Sequence, residues 1–176
     1  MDPLRLQVTD FQDETRWRWR LLDGAGGYLA DHQVQLDPSA REYRGFLALG
    51  DWLDFYTPIH PPAEQLKDLG VWIGDQVFGG LKDALRAEAI RPATPVRVEI
   101  PAPARALLQR PFDLARLAGR TGPTLGELGL SLVYCPEGLP DGVRAKTPTA
   151  DGLRLLACLS LPDSAWRSTR PGPATR

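Results

Sequence analysis

Four side chains carry the thiol and imidazole chemistry open to this chain: His32, His60, Cys135 and Cys158. His32 lies in Ala30-Asp31-His32-Gln33, and His60 sits among prolines in Thr57 to Pro62 (TPIHPP). Neither has a second His or Cys at ligand spacing and there is no CxxC, so no metal site and no cofactor are expected. Cys135 and Cys158 each stand in an apolar run. A thiol nucleophile needs an electropositive, partly open setting with a base in reach. The apolar context reads instead as two small hydrophobes, kept reduced in a cytoplasmic compartment. A cysteine hydrolase using Cys135 or Cys158 with His60 stays open as a third reading.

Other chemistry-bearing patterns are weaker. No GxSxG or HExxH is present. Asp31 with Glu42, and Asp51 with Asp54, are carboxylates close in sequence only, and read as solvated faces. Gly24, Gly26 and Gly27 do not open a helix after a buried strand, as a phosphate loop requires. They read as a hairpin turn. In Arg16 to Leu22 (RWRWRLL), Trp17, Trp19 and Leu21 alternate with three arginines. That pattern fits either a base-stacking platform or a strand with an aromatic core face. With a net charge of −1 there is no basic footprint for nucleic acid, so the core strand is the reading taken.

Several elements must position these residues. Leu4, Leu6 and Val8 alternate in a short opening strand, and Tyr28 to Leu36 returns after the glycine turn to complete an antiparallel meander. Asp37-Pro38-Ser39 supplies a helix-start signal. One helix then holds Tyr43, Phe46, Leu49, Leu53 and Tyr56, and the prolines of 57–62 end it. A second helix spans about Ala63 to Ala89, with Leu66, Leu69, Ile73, Val77, Leu81 and Leu85 at helical spacing. Gly70 and Gly74 lie four apart on it. They are the candidate interaction face, because small residues there let another backbone approach. A break at Gly79-Gly80 is equally compatible with the pattern. Val96, Val98 and Ile100 form a strand leading into a helix over about 104–117, half of a crossover unit. Leu128 to Cys135 and Leu153 to Ser160 are apolar strands of the kind covered on both faces.

The fold expected is therefore α/β: an antiparallel meander, two helices, then a mostly parallel partial sheet with a crossover helix. Residues 1–162 would make one domain and 163–176 a disordered tail. Apolar residues at 43% and charged ones at 24% suit a soluble globular protein. No apolar run reaches the ~18–20 residues needed to span a bilayer. The opening MDPLRLQVTDF lacks the basic and apolar regions of a signal peptide. Partners are expected to be proteins, with neither nucleic acid nor membrane.

The order of segments resembles the CHAT family of caspase-like peptidases, in its actinobacterial type. The likeness lies in Arg18 to Asp37 (RWRLLDGAGGYLADHQVQLD), EYRGF (Glu42 to Phe46) and LGVWIGDQVFGGL (Leu69 to Leu81). It continues through PVRVEIP (Pro95 to Pro101), LLQRPFDLA (Leu107 to Ala115), LSLVY (Leu130 to Tyr134) and LRLLACLSLP (Leu153 to Pro162). The resemblance covers roughly residues 16–162 and implies an incomplete caspase-like fold. In that family the catalytic His and Cys follow the Ser-x-Pro strand, here Ser160-Leu161-Pro162. His32, His60 and the two strand cysteines do not match those positions, so no catalytic residue carries over. The resemblance thus implies the non-catalytic N-terminal part of such a peptidase, a scaffold for a catalytic half, a partner subunit or self-association. A stand-alone adaptor that keeps the fold without the chemistry is the alternative.

Overall fold

The meander and the later strands join in one sheet. The structure, a computed structural model, describes residues 3–56, 61–89 and 94–137. Five strands take the order β3-β2-β1-β4-β5. They are β1 (Leu4–Asp13), β2 (Arg16–Leu22), β3 (Tyr28–Gln35), β4 (Thr94–Ile100) and β5 (Leu130–Pro136). The pairs β1/β2 and β2/β3 are antiparallel, while β1/β4 and β4/β5 are parallel. The architecture is α/β with a mixed sheet, and its parallel pairs do not outnumber its antiparallel ones. The described residues all belong to one compact unit, Met1–Leu139. His60, Cys158, the expected strand at 153–160 and the expected tail at 163–176 lie outside the described residues.

The opening strand is longer than its apolar alternation indicates, because β1 is central and hydrogen-bonds on both sides. Beyond Val8 it is carried on by pairing with β2, through a register shift between Thr9 and Asp13. Asp10 there has φ +49°, the left-handed region in which Asp is among the more tolerated residues. At the β2–β3 connection Gly26 takes φ +90°. The Asp23 carboxylate accepts the Gly27 N–H at 2.7 Å, so the turn closes on itself.

The two long helices expected are each interrupted. The first divides into α1 (Arg41–Leu47) and α2 (Leu49–Tyr56) at Ala48, whose φ of −143° and ψ of 80° leave the helical region. The break lets α2 fold back on α1. A Cβ on Gly45 would meet the Trp52 ring at 2.8 Å. Asp37 does not cap α1. Its carboxylate accepts the Ser39 N–H at 2.8 Å and the Ser39 hydroxyl at 2.7 Å, forming a turn ahead of the helix.

The second divides into α3 (Pro62–Trp72), a π-turn over Ile73–Val77, a 3-10 turn over Gly79–Leu81 and α4 (Lys82–Glu88). The Gly70 carbonyl accepts the Arg116 N–H at 2.8 Å, and the helix widens one turn later. Gly70 and Gly74 are both buried. Their missing side chains let the chain's own Leu114–Arg116 backbone press against α3. The face they share is therefore occupied from within and is not free for a partner.

Among the described residues no α-helix follows β4. Residues Ala102–Gln109 and Phe112–Leu114 form 3-10 turns instead. Pro111 removes a donor that a regular helix over 104–117 would need in its interior, and the tighter turn tolerates this.

The core lies on one face of the sheet. Leu4, Leu6 and Val8, Trp17, Trp19 and Leu21, and Val96, Val98 and Ile100 are buried there against Phe46, Leu69, Ile73, Phe78 and Phe112. The aromatic face of RWRWRLL is thus core, with Trp17 and Trp19 both 0% exposed. Trp19 stacks on Phe78 at 6.2 Å and 5°, and Phe112 meets Trp19 edge-on at 5.6 Å. Among the described residues no helix is long and apolar enough to cross a membrane.

Two stability outcomes follow. Ala at Gly74 would gain up to ~1 kcal/mol of helix propensity, but its Cβ meets the Arg116 carbonyl, and overpacking costs ~1–3 kcal/mol. Gly74→Ala is expected to lower the denaturant midpoint, whereas Gly50→Ala, with no heavy atom within 4 Å, leaves or raises it. Among the described residues the Trp19 indole N–H has no hydrogen-bond partner. Trp19→Phe should therefore cost well under the ~3–5 kcal/mol expected for Trp19→Ala, as read by urea unfolding.

Candidate functional site

In an open α/β sheet the crevice beyond the carboxyl ends of parallel strands is where ligands collect. Strands β1, β4 and β5 run the same way. At their carboxyl ends lies an open groove of about 400 Å³, lined by Gln7, Arg97, Glu99, Cys135, Pro136 and Glu137 among others. Strand register explains the grouping. Gln7 pairs with Glu99 across β1/β4, and Glu99 with Cys135 across β4/β5, so the three form one row. Side chains alternate between faces along a strand. With Val98 and Ile100 facing the core, Arg97 and Glu99 face away from it.

Glu99 is the hub. Its carboxylate accepts two hydrogen bonds from Arg5, Nε at 2.9 Å and Nη2 at 3.1 Å, and one from Gln7 Nε2 at 2.7 Å. Arg97 Nε lies 3.4 Å away. The Arg5 hydrogen bonds, helped by Gln7 and the two guanidinium charges, hold its carboxyl below the ordinary range against the opposing effect of partial burial. A carboxylate so fully engaged is a weak base, and it has little capacity left for a thiol proton.

Cys135 is half-buried beside it, and its Sγ donates to the Val133 carbonyl at 3.8 Å. His32 is on the other outer strand. Four inter-strand spacings separate β3 from β5, roughly 19 Å. His32 is also on the core face: it pairs with buried Trp19, and its Nε2 lies 3.0 Å from the Gln76 carbonyl oxygen. Sheet geometry therefore keeps the described imidazole and the described thiol apart in distance and in face. His60 and Cys158, the other members of the hydrolase reading, lie outside the described residues.

The helical side has a second, shallower hollow of about 330 Å³ with Glu42, Asp68, Asp75, Trp72 and Arg120. Its carboxylates are engaged: Glu42 with Arg41, Asp68 with Arg120 at 3.2 Å, and Asp75 with Lys82. Among the described residues no group of three or more His, Cys, Asp or Glu could hold a metal ion. Asp31 accepts the Tyr28 hydroxyl and does not meet Glu42.

Arg110 and Val133 are two positions that sequence reasoning passed over. Arg110 Nη1 donates to the Leu47 carbonyl at 2.8 Å, its Nη2 pairs with Glu14, and its guanidinium lies 5.9 Å from the Phe46 ring centre. It ties the β1–β2 hairpin to the α1–α2 break, and no spacing rule links residues 63 and 96 positions apart. Val133 is 48% exposed at the centre of β5, although its apolar run reads as covered on both faces. No family model matches this chain, and no curated protein matches it.

The state of Glu99 sets a pH dependence. Its folded pKa is depressed, so the stability it contributes is present above its unfolded value of about 4.3. That contribution is lost as pH falls through the lower folded value. Glu99→Gln should remove this part, leaving a shallower fall of melting temperature as pH drops below about 4.3. Parallel acid limbs for wild type and variant would show that Glu99 carries no such linkage.

Proposed function

We propose that the chain is a non-catalytic scaffold part of a CHAT-type, caspase-like cysteine peptidase, acting in the cytoplasm through protein–protein contacts. The reading begins from the resemblance of its segments to that family and from the mixed α/β sheet. One observation carries it furthest, the difference between the two edges of the sheet. Strand β3 bears Asp31, His32, Gln33 and Gln35, and the turn around Gly79 and Gly80 packs on it at His32 and Asp31. Charge and cover of this kind blunt an edge. Strand β5 (LSLVYCP) has no charged residue, and among the described residues no strand pairs with its outer side.

An uncharged, unpaired edge is the physical requirement for strand addition by a partner. The saturated Glu99 and the separation of His32 from Cys135 agree with a supporting role for the described sheet. The catalytic thiol would then belong to the partner, and β5 would be the line along which the two meet.

Capture from a cell extract treated with a cysteine-directed covalent peptidase probe tests the reading. Wild-type chain should retain a probe-labelled protein, and Val133→Lys should retain at least tenfold less of it. Recovery of no labelled protein, or equal recovery by both forms, would count against the peptidase scaffold. A partner that binds at β5 yet takes no label would favour the stand-alone adaptor.

A further inference from the structure

Leu69, Ile73, Val77, Leu81 and Leu85 recur every fourth residue and all are buried, although residues 73–81 do not form a regular helix. Two opposite departures account for this. The Phe78 N–H donates to the Ile73 carbonyl at 3.2 Å, a wide π bond that under-winds the chain. The Leu81 N–H then donates to the Phe78 carbonyl at 2.7 Å, a tight 3-10 bond. A 3-10 turn winds about 120° per residue against about 100° in an α-helix, so it restores phase that the π-turn lost. The irregularity is thereby confined between α3 and α4. Undoing it would turn Phe78 with little change to either flank.

What holds the wide form comes from outside the helix. In a regular helix the Gln76 carbonyl would accept the Gly80 N–H, four residues on. Here His32 Nε2 lies 3.0 Å from it, and because a carbonyl oxygen only accepts, Nε2 carries the proton and donates. The turn is shaped around that ring. A Cβ on Gly79 would meet His32 Cε1 at 2.8 Å, and one on Gly80 would meet the Asp31 carbonyl oxygen at 2.9 Å. Directly across from His32 on β2 stands Trp19, the ring on which Phe78 stacks. His32 thus grips the chain two residues before Phe78 reaches Trp19.

We propose that the His32–Gln76 bond is a catch on a helical segment with two positions. With the catch made, residues 73–81 stay wide and Phe78 stacks on Trp19. With it released, the Gln76 carbonyl takes the Gly80 N–H and the segment closes to the α register. Phe78 then turns off Trp19 by about 100°, the rotation of one residue. The same step draws the turn at Gly79 and Gly80 away from His32 and Asp31 on β3. One hydrogen bond shifts such a balance about three- to tenfold, and burial of Phe78 keeps the wide form the main one throughout. His32 is a positioning residue in this device, which is separate from the scaffold reading because that reading rests on β5.

Hydrogen exchange of the purified full chain, read by mass spectrometry on fragments covering residues 73–82, tests the catch. In the wild type these amides should open together, at lower denaturant than those of β1 and β4. His32→Leu fills the slot without a donor and should speed their exchange about three- to tenfold, leaving β1 and β4 unchanged. His32→Gln, whose amide N–H reaches about as far as Nε2, should return the rate to that of the wild type. In Phe-labelled samples the Phe78 ring resonances should move with His32→Leu and move back with His32→Gln. Wild-type amides of 73–82 that exchange only with the whole sheet would overturn the proposal, and that measurement stands whether or not the variants fold. So would an unchanged rate in His32→Leu, a rate that His32→Gln does not restore, or faster exchange throughout β1 and β4 in His32→Leu.

Discussion

The stack of Trp19 on Phe78, closed edge-on by Phe112, is the contact on which the rest of the fold depends. Each ring comes from a different part of the chain: β2, the end of the π-turn, and the 3-10 turn after β4. Phe46 from α1 packs on Phe112 at 5.7 Å and on Trp72 at 5.8 Å, bringing the first helical pair into the same cluster. Rings of this size supply much of the apolar area buried in a small domain. Their shapes also leave few ways to fit together. Among the described residues the Trp17 and Trp19 indole nitrogens find no hydrogen-bond acceptor. A buried donor without a partner carries a cost, and the aromatic packing around both rings outweighs it.

Among the described residues that cluster lies on one face of the sheet, so the two faces are dissimilar. Parallel strands are usually covered on both. Here β1 and β4 show a charged second face whose groups satisfy one another through Glu99, Arg5, Gln7 and Arg97. A face so paired is at ease with water and gives little reason for a second helical layer to settle on it. Among the described residues no strand pairs with the outer side of β5, and Val133 there is exposed.

The irregular helices have the same origin. Gly70 and Gly74 let the Leu114–Arg116 backbone approach α3 closely, and the Gly70 carbonyl bonds to Arg116. The π-turn that follows carries Val77 and Phe78 into the core. A regular helix through this stretch would turn Phe78 away from Trp19 by the difference between π and α geometry. Glycine spacing, helix widening and aromatic stacking are thus one arrangement seen at three scales.

Local alternation determined much of this protein by itself. Period-two patterning placed β2, β3 and β4 to within a residue or two and assigned the Trp face to the core, because side-chain direction in a strand depends only on parity. Glycines and prolines likewise announced turns. What only the tertiary structure decided concerns pairing and competition between distant segments. That β1 is central and joins meander to parallel strands follows from hydrogen bonds to residues some ninety positions away. That Asp37 bonds Ser39 and not a helix N-terminus goes with the start of α1 at Arg41, where Ala40 holds the N-cap position. Gly70 and Gly74 read as a face for close approach, but no local rule says whether the approaching backbone belongs to the chain or to another molecule. Cys135 and Glu99 became neighbours through strand register, a property of two strands together that neither strand encodes alone.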